Sequence, residues 1–125
     1  MAWDIFVTSQ VREFLDSIER ADRESSDLID EAIIQLQDDG PTLGRPLVDR
    51  IAGSCIANMK ELRPPSAGRS EVRILFVFDP WRSAILLIAG DKSGQWNRWY
   101  RRAIPEAEQL YAKYLIEREE EMADE

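Results

Sequence analysis

Residues 70–89 read SEVRILFVFDPWRSAILLIA, a stretch that encodes two strands and the turn between them. Val72, Ile74, Phe76 and Phe78 alternate with Arg73, Leu75 and Val77, the two-residue period of a strand whose successive side chains point to opposite faces. Asp79-Pro80-Trp81 then supplies a tight turn, because a short acid bonds its own backbone and proline fixes φ. The run 84–89 is apolar at every position, as in a central strand buried on both faces.

Working outward, residues 55–63 read as the preceding strand. Pro64-Pro65 ends it, and residues 64–68 turn the chain into the next. Residues 41–54 carry Pro41, Gly44, Pro46 and Gly53 and read as a loop. Before it lie two amphipathic helices. Thr8 or Ser9 caps the first, with Val11, Phe14, Leu15 and Ile18 on one face. The second follows Asp22, aligns Leu28, Ile29, Ala32, Ile33 and Leu36, and stops at Gly40-Pro41. Residues 3–7, aromatic and β-branched, read as an opening strand. Downstream, residues 90–103 read as a loop. Ile104-Pro105 opens a last helix whose core face is Ala107, Leu110, Tyr111, Tyr114 and Leu115. The order β-α-α-β-β-β-α predicts an α+β fold: a small antiparallel meander with helices packed on one face. It is expected to form a single domain over residues 1–118, with a frayed acidic tail at 119–125.

Composition narrows the function. The chain has 125 residues, 44% hydrophobic and 32% charged, a globular balance around one modest core. No apolar run reaches membrane-spanning length, and the apolar stretch near the start is too short for a secretion signal. One cysteine, Cys55, fits a reducing cytoplasm. Histidine is absent, which removes the commonest general base and metal ligand. Asp38, Asp39, Asp49, Asp79 and Asp91 have no metal-site spacing, so no metal or cofactor is expected. Ser93 and Cys55 lack the histidine partner of a nucleophilic triad.

The net charge of −8 conceals three blocks. Residues 1–44 hold three arginines against eleven acids, residues 45–102 eleven cations against five acids, and residues 103–125 two cations against eight acids. The middle block suits phosphates while the ends stay solvated. In a meander, Arg63 and Arg73 stand on neighbouring strands and Lys92 leaves the adjoining strand end, so the three converge on one sheet edge. Lys60 and Arg69 extend this set toward RNA. The segment 95–102, QWNRWYRR, sets Trp96, Trp99 and Tyr100 among Arg98, Arg101 and Arg102. For one aromatic alone, core packing is the ordinary outcome. Flanked by three arginines, the cluster reads as a surface on which unpaired bases stack.

RNA cleavage without histidine or metal must use the substrate's own 2′-hydroxyl. The reaction needs a base, cations for the phosphate and an acid for the leaving oxygen. Arg63 and Arg73 suit the phosphate. Lys92 and Tyr100 share the base and acid roles, either way round, if neighbouring arginines lower their pKa.

Met59-Lys-Glu-Leu-Arg63, Arg73-Ile-Leu-Phe-Val-Phe78, Leu86-Leu-Ile-Ala-Gly-Asp-Lys92 and Ile104-Pro-Glu-Ala-Glu108 with Tyr111 occur in an informative order. Together they resemble the phage-derived HigB-like branch of RelE-type toxins of type II toxin–antitoxin systems, from Trp3 to about Leu115. The resemblance implies a RelE-like fold and a cytoplasmic, ribosome-dependent mRNA endonuclease that leaves a cyclic phosphate. It also implies a helix-turn-helix antitoxin of the HigA kind, and neither a membrane nor a metal. Arg63, Arg73 and Lys92 match the family's basic positions, and Trp96, Trp99 and Tyr100 its aromatic segment. Asp91 stands where many relatives carry a second cation, and the C-terminal histidine of some relatives is missing. A gyrase poison of the ParE kind, or a toxin that only binds its antitoxin, is the alternative with the same fold.

Overall fold

The 70–89 stretch forms the centre of the molecule in a computed structural model, which describes residues 2–95 and 97–124. Its strands, β4 (Val72–Phe78) and β5 (Ser83–Asp91), pair antiparallel around a turn held by Asp79. The Asp79 carboxylate accepts the backbone N–H groups of Trp81 at 2.9 Å and Ser83 at 2.8 Å. The other elements are β1 (Asp4–Val7), α1 (Ser9–Ala21), α2 (Arg23–Asp39), β2 (Val48–Arg50), β3 (Lys60–Leu62) and α3 (Asn97–Ala123). A 3-10 turn, Gly40–Thr42, follows α2.

The sheet order is β1-β5-β4-β3-β2. The last three strands in sequence form the expected antiparallel meander, which β2 extends by one strand, whereas β1 joins β5 in parallel, so the sheet is mixed. A further correction concerns the helices, which cover both faces. Val72, Ile74, Phe76, Ala84 and Leu86 pack against Val11 of α1 and Ile29, Ala32 and Leu36 of α2. Leu75, Val77, Ile85 and Leu87 pack against Trp99, Ala103, Ala107 and Tyr111 of α3. The reason lies in the strands themselves. Apart from Arg73, β4 is apolar at successive positions, as is most of β5, and neither face can be left to water.

The caps follow the sequence. The Thr8 hydroxyl accepts the Val11 N–H at 3.3 Å and donates to the Leu87 carbonyl at 2.8 Å, tying α1 to the sheet. Asp22 caps α2 through the N–H and hydroxyl of Ser25. Gly40, at φ 58°, ends α2 and leaves room for the Trp3 indole, whose Nε1 would stand 2.3 Å from an added Cβ.

Three boundaries differ from expectation. The 41–54 loop contains β2, a three-residue edge strand paired with β3 through Asp49 and Glu61. The strand expected over 55–63 contracts to Lys60–Leu62. Helix α3 begins at Asn97, so Pro105 lies inside it and the Arg101 carbonyl loses its i+4 donor. Trp99 and Ala103 on one side of that proline, and Ala107 and Tyr111 on the other, hold the helix to the sheet. The helix continues through the acidic residues to Ala123. Among the described residues, no helix is long and apolar enough to cross a membrane.

Candidate functional site

Strand period places Glu61, one residue before the core residue Leu62, on the face that α3 covers. There Glu61 is 7% exposed, and its Oε2 accepts the Tyr100 hydroxyl at 2.7 Å from the start of α3. Arg63 follows on the same face, its Nε 3.8 Å from Glu61 Oε1 and its Nη1 3.6 Å from Asp49. Arg73, buried in β4, donates through Nη1 to its neighbour's carbonyl, at Val72, and reaches Tyr100 with a second hydrogen bond. Its Nε–H has no acceptor. The Lys92 ammonium lies 5.7 Å from the centre of the Tyr100 ring. Arg63 and Tyr100, far apart in sequence, thus meet at the Glu61 carboxylate, with Arg73 and Lys92 beside Tyr100.

They meet beneath α3, not on an open face opposite the helices, because α3 starts early and brings Tyr100 over the sheet. Tyr100 also departs from the expected electrostatics. Burial first, and then the hydrogen bond and charge of Glu61, push its hydroxyl well above the ordinary tyrosine range; Arg73 opposes them and loses. Tyr100 therefore stays a neutral donor and is no free base.

The remaining predicted residues divide. Trp99 is 4% exposed, packed edge-on against Tyr100 with ring centres 5.1 Å apart and seated on Gly90. It is a core residue and offers no stacking platform, since the helical turn that carries it turns inward. Lys60 points to the opposite face, its ammonium 5.4 Å from the Phe78 ring centre. Arg69 is exposed in the turn before β4, away from the cluster's contacts. Arg98, Arg101 and Arg102 are exposed along the first turns of α3. Trp96 lies outside the described residues.

Sequence reading missed Glu61 as a centre, although a glutamate between Met59 and Leu62, both buried, is itself a signal. It also missed a cleft of about 790 Å3 beside the cluster. Its lining includes the buried Glu61 and half-buried Tyr100, the apolar Ile51, Ile104 and Pro105, and the exposed Arg50 and Arg101. Asp91, at the position of a second family cation, braces the loops next to Lys92. Its carboxylate accepts the N–H groups of Glu71 at 2.9 Å and Ser93 at 3.0 Å. Burial raises its pKa, but these bonds outweigh burial and hold it below the usual carboxylate range.

A profile of the phage-derived Gp49-like protein family matches residues 14–112. The candidate toxin HigB2 of Mycobacterium tuberculosis is 54% identical over 99 residues, 79% of this chain and 49% of that protein. The candidate toxin HigB3 of the same organism is 57% identical over 84 residues, 67% of this chain and 71% of that protein. The chain thus spans about half the length of the first relative and most of the second. Among solved structures, an arginine double mutant of the E. coli toxin RelE in the free state superposes with a TM-score of 0.59 at 8% identity. That match covers 84% of this chain and 97% of RelE, and identifies the fold as RelE-like.

Proposed function

This chain belongs to the Gp49-like family of HigB/RelE-type proteins, and from that premise we propose that it is the toxin of a type II toxin–antitoxin system, cutting messenger RNA on the ribosome without a metal. The observation that carries this reading is the Glu61–Tyr100 pair, with Arg63 at the carboxylate and Arg73 and Lys92 beside the tyrosine.

The ribose 2′-oxygen attacks the adjacent phosphorus and the bond to the 5′-oxygen breaks, leaving a 2′,3′-cyclic phosphate and a 5′-hydroxyl. Tyr100 already donates to Glu61, so its oxygen can take the 2′-hydroxyl proton as its own proton passes to the carboxylate. Lys92 returns a proton to the leaving 5′-oxygen. Arg63 and Arg73 neutralise the phosphate with forked, permanently charged groups.

The partner is a helix-turn-helix antitoxin of the HigA kind, whose acids cover the basic cluster. The complex resides in the cytoplasm.

Induced expression in a bacterium, with RNA 5′-end mapping before growth stops, tests the proposal. New cuts inside translated messages are expected from the parent. Glu61→Gln and Lys92→Ala, checked for folding by circular dichroism, are expected to lose about 10²–10⁴ of that cutting. Growth arrest without cuts overturns the nuclease reading, and a DNA-damage response beside it points to gyrase. Undiminished cutting by both variants overturns the assigned roles.

A further inference from the structure

We propose that the cleft between β2 and α3 holds the unpaired nucleotide next to the cut, and so sets which RNA sequences are cleaved. This rests on the nuclease reading, because the Glu61–Tyr100 pair that moves the proton lines the cleft. Whatever fills the cleft adjoins the scissile phosphate.

The chemistry of the lining selects a nucleotide. Ile51, Ile104 and Pro105 give the apolar walls that a base face needs, and the Asn97 carboxamide at the opening can read a base edge. Arg50 and Arg101 are exposed at the rim, and neither is in an ion pair among the described residues, so their charges are open to backbone phosphates. At about 790 Å3 the cleft lies within the range of pockets that enclose small organic ligands.

The cleft is also held in shape before any ligand arrives. Glu108 of α3 accepts the Ser54 hydroxyl at 2.8 Å and the Cys55 N–H at 2.6 Å, pinning the far loop to the helix. The Cys55 side chain first, and then the bonds from its N–H and from Ser54, hold the Glu108 carboxyl below its usual range, so the clamp is charged at neutral pH. A prearranged pocket avoids the ordering cost that a mobile loop would add to binding.

The test measures fluorescence anisotropy of a labelled 2′-O-methyl tetranucleotide of mixed sequence, which cannot be cut. Ile104→Trp, which fills the cleft, is expected to weaken binding about tenfold or more. Arg50→Glu, on an exposed edge-strand position, does the same should the tryptophan variant misfold. Arg12→Ala, exposed on α1 across the sheet, binds like the parent. In cells, Ile104→Trp still cuts messages but loses the base preference beside the cut.

A parent that does not bind the tetranucleotide overturns the proposal, as do folded cleft variants that keep both affinity and base preference. A parent that binds it through the cleft yet cuts nothing leaves the pocket standing and overturns the nuclease reading instead. Cleft variants that keep RNA binding but are no longer neutralised by the neighbouring gene product would assign the cleft to the antitoxin, and overturn this proposal.

Discussion

Tyr100 keeps its proton because two groups work together on it: burial disfavours the phenolate, and Glu61 repels it. The other two tyrosines are shifted the same way. Tyr111 is raised by burial and then by the charge of Asp79, and Tyr114 by burial and then by its hydrogen bond to Asp79. With all three tyrosines of the chain raised, the folded state binds protons that the unfolded state releases above about pH 10. Their contribution to stability is complete below that pH and is lost as pH rises through the folded values. Absorbance titration near 295 nm should therefore show less tyrosinate at pH 10.5 in folded protein than three free tyrosines would give, the remainder ionising as the chain unfolds. Tyrosinate appearing near pH 10 with the fold intact would contradict this account of the site. At this scale the sequence singles out Arg73 because an arginine between apolar strand positions is unusual, and the structure buries it in β4. Glu61 and Trp99 were hidden because their roles depend on which way α3 faces, and no residue type encodes that.

Helix α3 positions the site, and one contact anchors its first turns. The Trp99 indole lies against Gly90 of β5, where an added Cβ would stand 2.3 Å from Nε1 and 2.9 Å from Cε2. The obstacle is a packed indole, not the far end of a flexible chain, so the helix itself must shift. Gly90→Ala is expected to cost about 1–3 kcal/mol of stability, read from the urea midpoint. Because Tyr100 follows Trp99 directly, RNA cutting should fall by more than the unfolded fraction explains. A variant as stable and active as the parent would show that Trp99 does not set the helix. This start of α3 was illegible in sequence, because Pro105 is a familiar first-turn residue and concealed the turns before it. Strand β2 was illegible for the opposite reason: three residues between Pro46 and Gly53 carry too little pattern to outweigh the breakers around them. The β4–β5 pair was legible because its apolar runs admit one arrangement, and those runs also imply the second helical layer.

Across the whole molecule, the sheet sets the acids of α1 and α2 apart from the arginines in the first turns of α3, a helix that itself turns acidic beyond Ala103. The acids of α1 and α2, among them Glu13, Asp16, Asp27, Asp30 and Glu31, are exposed on one side. Arg98, Arg101 and Arg102 are exposed on α3, which lies on the other. In sequence these are the first acidic block and the end of the basic one, and the sheet stands between them. A protein with a pI near 4.6 would ordinarily be set aside as an RNA binder. The two-sided distribution argues otherwise, because counterions are released only from phosphates that touch cations, and remote acids are screened beyond about a Debye length of 8–10 Å. Binding of the uncuttable tetranucleotide should weaken linearly on a log–log salt plot, with a slope of about −0.7 for each phosphate contacted. Removing Arg98 and Arg101 together should lessen that slope by about 1.4 if each holds one phosphate. Reversing Asp27, Asp30 and Glu31 to lysine on α2 should raise affinity slightly at low salt and leave the slope unchanged. A slope that steepens with the α2 reversals would mean that RNA reaches across to the helical face, and that the α3 side is not where the phosphates lie.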